Sequence, residues 1–184
     1  MTKRRLPLTA LWLATAWCLA AGAATPARAQ PTEDAVKAAF LPKFARYVAW
    51  PAAAQPEARA PFQLCVIGHD PFGRLLDLSA ASELIDGHGV TVRRLASSDA
   101  AAGCHTAFVR GAAPAETARL LGALRGRPVL TVTDGRAGPQ RGMIHFTIVA
   151  GRVRFFIDEA AAVERGLSIS SRLLALALAV RQRR

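Results

Sequence analysis

The chain has 184 residues, a formal net charge of +11 and a hydrophobic fraction of 52%. This length suits one domain with a proper hydrophobic core. The basic residues are scattered among apolar runs and are not gathered on one helix, which argues against a nucleic-acid-binding protein.

The first 29 residues have the pattern of a secretory signal peptide. Basic residues at positions 3–5 precede an apolar run at residues 8–21, and Ala27-Arg28-Ala29 offers a small-x-small cleavage site. The apolar run is about fourteen residues long, whereas a membrane anchor needs about twenty. We therefore predict that residues 1–29 are a signal peptide and that residues 30–184 form one exported domain. For a basic exported protein, we expect acidic protein faces or anionic headgroups as partners.

A helix is predicted over residues 30–50. Thr32 is its expected N-cap, and Pro42 is expected to kink the helix or split it in two. Trp50-Pro51 ends it, and residues 52–61 form a surface loop. Apolar side chains recur on one face of this helix at Val36, Phe40, Phe44 and Tyr47.

Strands and helices then alternate. The pattern predicts strands at residues 62–68, 90–95, 104–110 and 129–133, and helices at 72–83 and 114–124. Residues 143–149 and 153–157 read as a β-hairpin, and a closing helix should run from Ser171 through Val180. This order predicts a single three-layer α/β domain whose mixed sheet has a parallel centre and a C-terminal hairpin, flanked by helices.

The segment from Gly68 to Gly73 joins a strand to a helix, the geometry that binds phosphates. It lacks the Lys-Ser/Thr that follows the glycines of a P-loop, and the dinucleotide pattern is absent too. A tight structural turn with Asp70 as N-cap is the favoured interpretation. A small-ligand site lined by His69, Asp70 and Arg172 is the alternative.

Two cysteines, Cys65 and Cys104, lie outside the signal peptide. An even count in an exported chain favours a disulfide. With His69 and His105, the same residues also supply the ligand types that zinc takes. However, Cys104 and His105 are adjacent, and adjacent side chains of a strand point to opposite faces.

The sequence offers no recognisable catalytic arrangement. It has no G-x-S-x-G or H-E-x-x-H motif, and its histidines are dispersed. Asp134 follows a strand and Asp158 precedes a helix, where turn and capping roles are usual. We therefore predict no catalytic residue, no cofactor and no metal.

Several segments, in order along residues 36–179, resemble the YfiR family of periplasmic proteins. They are VKAAFLPKFARYVAWP, FQLCVIGHDPFG, GRPVLTVTD, RGMIHFTIVAGRVRFFID and GLSISSRLLALA. The resemblance implies a periplasmic regulator that represses an inner-membrane diguanylate cyclase, YfiN in the best-known case, through the periplasmic sensor domain of that enzyme. It also implies that redox state matters, because Cys65 and Cys104 match two cysteines of the family. The second cysteine pair of some relatives is absent here.

These observations lead to two predicted functions. The first is a non-catalytic repressor that binds the periplasmic domain of a membrane diguanylate cyclase or another membrane receptor, forms a homodimer and binds no nucleic acid. The second is a periplasmic small-ligand sensor. For the first function, the predicted partner-binding residues are Phe40, Phe44, Tyr47, Trp50 and Arg172.

Overall fold

The computed structural model describes residues 30–182, so the predicted signal peptide lies outside the described residues. The helices are α1 (Glu33–Ala45), α2 (Arg74–Ala81), α3 (Pro114–Ala123), α4 (Glu159–Val163) and α5 (Ser171–Leu174). The strands are β1 (Val48–Ala49), β2 (Phe62–Gly68), β3 (Leu84–Ile85), β4 (His88–Leu95), β5 (Thr106–Arg110), β6 (Leu130–Asp134), β7 (Ile144–Val149), β8 (Arg152–Asp158), β9 (Ser168–Ile169) and β10 (Ala179–Arg181).

Eight strands form one mixed sheet in the order β10-β8-β7-β6-β5-β2-β4-β3. The strands from β7 to β4 in this order run parallel to one another. The predicted hairpin is present as the antiparallel pair β7 and β8, and Ala150 and Gly151 at its turn both have positive φ. The predicted α/β class and mixed sheet are confirmed. The two short strands β1 and β9 form a separate antiparallel pair.

One face of the sheet packs against α1 through an aromatic core. The ring of Phe44 lies 5.4 Å from that of Phe146 and 5.0 Å from that of Phe155. The other face packs against α3 around β2 and β5, where Leu120 and Leu124 are fully buried. The strand periodicity explains both layers, because successive side chains of β2 and β5 point to opposite faces.

Helix α1 begins as predicted but is neither split nor ended by Pro42. Thr32 Oγ1 accepts a hydrogen bond from the backbone N–H of Ala35 at 3.2 Å, and the helix is continuous to Ala45. A proline inside a helix costs about 3 kcal/mol. Leu41 and Phe44 are almost completely buried, and burial of each contributes about 1.5–3 kcal/mol. Packing against the sheet therefore outweighs the lost hydrogen bond.

The predicted C-terminal helix through Val180 is wrong. Helix α5 stops at Leu174, and the chain then adds β10 beside β8. The backbone N–H of Leu178 donates to the Phe155 carbonyl at 2.8 Å. Strand β8 would otherwise expose a row of unpaired backbone groups at the edge of the sheet, and pairing with β10 satisfies them.

Candidate functional site

A disulfide joins Cys65 of β2 to Cys104, just before β5, with their Cα atoms 5.9 Å apart. The two strands are parallel neighbours, and the backbone N–H of His105 donates to the Gln63 carbonyl at 3.0 Å. Both half-cystines are buried against the α3 side of the sheet. The structure therefore contains the disulfide that the cysteine count predicted.

The alternative zinc arrangement is not assembled. Both sulfur atoms are used in the disulfide, and His69 lies beyond the end of β2. His105 serves the core, because its Nδ1 accepts the backbone N–H of Gln63 at 2.9 Å and its ring stacks on Phe62. Within residues 30–182, no three His, Cys, Asp or Glu side chains are grouped so that they could hold a metal ion.

The loop after β2 is closed by its own residues. Asp70 Oδ1 accepts the backbone N–H groups of Phe72 at 2.8 Å and of Gly73 at 3.3 Å, so it closes a turn, and α2 begins only at Arg74. Asp70 Oδ2 accepts from Arg94 Nε at 2.7 Å. Asp70 is therefore engaged by the fold through both oxygens, as expected of a structural turn.

The glycine that starts this loop is needed for close approach. Gly68 has φ +86, and a Cβ atom there would overlap the backbone carbonyl of Arg110. The third predicted ligand residue, Arg172, is exposed on α5. Among the described residues, no hydrogen bond or ion pair joins Arg172 to His69 or Asp70. The three predicted ligand residues are therefore not joined by direct contacts. Gly68 is explained by the close approach of the Arg110 carbonyl.

Two of the predicted partner-binding aromatics belong to the core. Phe44 is 1% exposed and Trp50 is 7% exposed, so neither offers a contact surface to a partner. Trp50 also donates its Nε1 hydrogen to the His105 carbonyl at 3.2 Å. Phe40 and Tyr47 are half-buried and pack against the same core. The helical stripe on α1 is therefore chiefly a packing face, and its exposed contribution is limited to Phe40 and Tyr47.

The end of α1 and the start of α5 lie side by side. Strands β1 and β9 pair between them, and the backbone N–H of Ser170 donates to the Tyr47 carbonyl at 2.8 Å. Arg172 follows on the exposed side of α5. Helix α4 packs against β10 in the same region. This region also exposes three large apolar side chains, which we call the C-terminal apolar patch: Val163, Leu176 and Leu178.

A buried charge cluster lies where β6 ends. Asp134 is 0% exposed and its Oδ2 lies 2.7 Å from the Nζ of Lys37, which is 1% exposed. Lys37 also pairs with Glu33 at 2.5 Å, and Arg136 extends the cluster to Glu33 and Asp34 at 3.1 and 3.5 Å. Asp134, expected as a simple turn residue, is therefore one half of a buried ion pair that joins the sheet to α1.

The sequence carried a partial signal for this ion pair. Lys37 lies four residues before Leu41, on the buried side of α1, and Asp134 ends a strand that is buried throughout. A lysine and a carboxylate in two such positions usually need each other, because an unpaired buried charge is very costly. Only the packing of α1 over β6 shows that they meet.

His145 is a second buried polar group, on the opposite face of the sheet. It is 6% exposed, and its Nδ1 lies 2.8 Å from Thr133 Oγ1. The same hydroxyl oxygen accepts the backbone N–H of Gly142 at 2.9 Å. The pKa of His145 is lowered to about 4, first by burial and then by the positive charge of Arg141, against the opposing effect of Asp134. His145 is therefore neutral in the folded protein near neutral pH.

This shift predicts a pH-dependent loss of stability. The unfolded chain takes up a proton at this histidine near pH 6.5, whereas the folded chain does so only near pH 4. The contribution of neutral His145 to stability is complete above the pKa of the unfolded chain and is lost as the pH falls toward the pKa of the folded chain. From about pH 7 to about pH 5, we expect His145 to account for a loss of about 2 kcal/mol.

Chemical denaturation at both pH values measures this contribution. His145→Gln, which does not titrate, should lose about 2 kcal/mol less than the wild type over that interval. His69→Gln, the same substitution at an exposed histidine, is the matched control. If the His145→Gln variant loses as much free energy of unfolding between these pH values as the wild type, His145 is not the source of the loss.

Asp70, Asp134, His105 and His145 thus have structural partners, and the cysteines form a buried bridge. These features define a disulfide-bonded α/β domain. Within residues 30–182, no helix has the length and apolarity required to cross a membrane.

A family model described as YfiR/HmsC-like matches residues 34–178. The match covers most of the chain, and the protein belongs to the YfiR/HmsC-like family, which confirms the resemblance noted in the sequence. This family comprises periplasmic regulators of diguanylate cyclase signalling. No curated protein sequence matches the chain.

Proposed function

We propose that this protein is a non-catalytic periplasmic regulator that binds and represses the periplasmic sensor domain of an inner-membrane diguanylate cyclase. The family match over residues 34–178 is the observation that carries this proposal. The disulfide adds support, because such bonds persist in oxidising compartments such as the periplasm. In this proposal, residues 1–29 are a cleaved signal peptide, and residues 30–184 act as one domain.

The carboxylates of Asp134 and Asp158 make structural contacts. Asp158 Oδ1 caps α4 by accepting the backbone N–H of Ala161 at 3.0 Å, and its Oδ2 pairs with Arg181 at 2.6 Å. Asp134 is paired with Lys37. A general acid or base must reach a substrate proton, and a carboxylate with no exposed surface, such as Asp134, does not. These contacts favour a binding protein over an enzyme.

Repression from the periplasm must act through conformation. The protein can bind one conformation of the partner's sensor domain more tightly than another and so shift the population of active cyclase. A shift from mostly active to mostly inactive requires several kcal/mol of differential affinity. That amount calls for buried apolar contacts at the interface, because exposed ion pairs contribute about 0–1 kcal/mol each.

The surface that best fits this requirement lies where the end of α1 meets the start of α5. Tyr47 and Arg172 lie on neighbouring elements, and the C-terminal apolar patch belongs to the same region. Leu176 is 59% exposed and Leu178 is 41% exposed. A cationic side chain beside apolar anchors suits an acidic partner face with an apolar centre. The same exposed apolar residues favour a homodimer, which light scattering of the purified domain would detect.

The double variant Leu176→Ser, Leu178→Ser tests this surface. We expect it to abolish capture of the cyclase from membranes and to raise cyclic-di-GMP in cells, because it removes apolar anchors. Its thermal midpoint should stay near that of the wild type, since both side chains are exposed and neither belongs to the hydrophobic core. Capture should be measured with the tagged mature protein.

Leu78→Ser is the matched control. Leu78 is 60% exposed on α2, which packs beside β4 near the opposite end of the sheet order. This variant should bind and repress like the wild type. Continued repression by the double variant would place the partner surface elsewhere, and equal loss in both variants would show that the effect is not specific to this region.

A further inference from the structure

A cleft of about 450 Å³ lies on the face of the sheet opposite α1, beyond the part that α3 covers. Its walls come from residues 141–142 and from strands β7, β8 and β10, and no helix residue lines it. Ligand pockets in proteins typically measure about 300–1,000 Å³. The cleft is therefore large enough for a small organic molecule.

The floor of the cleft follows from the strand register. His145 is paired with Phe156 across β7 and β8, and Phe156 is paired with Ala179 across β8 and β10. Paired residues point to the same face of a sheet, so these three side chains form a row. Thr133 of β6 continues the row beside His145. The row thus consists of two polar side chains, Thr133 and His145, followed by the apolar Phe156 and Ala179.

The hydrogen bonds of Thr133 orient the imidazole. The hydroxyl oxygen accepts the N–H of Gly142 and lies 2.8 Å from His145 Nδ1. We assign the hydroxyl hydrogen to a bond with Nδ1, because this gives that hydrogen an acceptor. This assignment satisfies both groups and places the imidazole proton on Nε2. His145 lines the cleft, and it therefore offers a neutral N–H donor there.

The rim of the cleft is cationic. The guanidinium of Arg141, which carries five N–H donors, lies 4.8 Å from the centre of the Phe156 ring in a cation–π contact. Arg181, at the other side, is paired with Asp158 at 2.6 Å. With one guanidinium neutralised and His145 neutral, the lining residues carry one net positive charge.

We propose that this cleft binds a small organic monoanion, a carboxylate with an apolar body. Arg141 pairs with the carboxylate, His145 Nε2–H donates to it, and the apolar body lies along Ala179 and the strands. The bound molecule bridges β10 to β7 and β8. This site is separate from the predicted ligand residues His69, Asp70 and Arg172, and it does not depend on the proposed partner.

Titration of the mature protein with butyrate, hexanoate and inorganic phosphate tests the site. Hexanoate should bind saturably with a Kd of about 1 mM, a value reasonable for a ligand of its size. Butyrate should bind more weakly, because it buries fewer methylene groups. Backbone amide shifts should change at residues 141–142 and along β7, β8 and β10. Phosphate binding as tight as hexanoate would overturn the assignment of an organic ligand.

Arg141→Gln should weaken hexanoate binding at least about tenfold, since a charge-assisted hydrogen bond is lost. Arg141→Lys should retain part of the affinity. Arg154→Gln is the matched control, because Arg154 lies two residues from Phe156 on the same strand, is exposed and does not line the cleft. Equal weakening by Arg154→Gln, or no saturable hexanoate binding by the wild type, would overturn the proposal.

Discussion

Asp134→Ala is expected to lower the free energy of unfolding by about 3–5 kcal/mol, a large part of the stability of a domain of this size. The substitution leaves the ammonium group of Lys37 buried without its closest sheet partner. Glu33 still pairs with Lys37, but this carboxylate lies on the same helix and does not connect α1 to the sheet. Urea unfolding followed by circular dichroism measures the change.

Two further variants separate the ion pair from its surroundings. The double variant Lys37→Met, Asp134→Leu should recover much of the loss, because it removes both buried charges and leaves apolar side chains of similar volume. Asp99→Ala changes an exposed carboxylate and should shift the free energy of unfolding by less than about 0.5 kcal/mol. A small effect of Asp134→Ala alone would show that the pair does not anchor α1.

Removal of the disulfide is the second large expected effect. The double variant Cys65→Ala, Cys104→Ala should lose about 4 kcal/mol, because a cross-link with a sequence separation of 39 restricts the unfolded chain. Both positions are buried, so alanine also leaves small gaps against α3. The midpoint of urea unfolding should fall without a loss of secondary structure before the transition.

Reduction provides the matching control for the disulfide. A reductant should destabilise the wild type by a similar amount and should leave the double variant unchanged. A wild type that is equally stable in oxidised and reduced form would contradict the expected contribution. Mass spectrometry under non-reducing conditions shows whether the bond is present in the sample that is unfolded.

The local patterns of the chain predicted most of the sheet. The strands near residues 62–68, 104–110 and 129–133 are short apolar runs between turn signals, and they appear within two residues of their predicted bounds. The hairpin followed from Ala150-Gly151 between two apolar runs. These features depend on backbone geometry and on alternation along one segment, which the sequence displays directly.

The proposed partner-binding surface was harder to predict from the sequence than the sheet. Phe44 and Trp50 form an aromatic stripe with Phe40 and Tyr47, but periodicity on a helix shows only that one face is apolar. Whether that face meets the sheet or a partner depends on what covers it. Here Phe146 and Phe155 cover most of it, and the exposed apolar residues lie instead near β10.

The sequence by itself determined the α/β class, the pairing of Cys65 with Cys104 and the family resemblance, because these depend on local periodicity, on a count and on ordered motifs. Tertiary structure alone decided that residues 179–181 form a strand, that Lys37 meets Asp134, and that His145 lines a cleft. Each of these is a contact between segments distant in the chain. The free energy of such a contact comes from desolvation and pairing at one place in space, and no single segment contains that information.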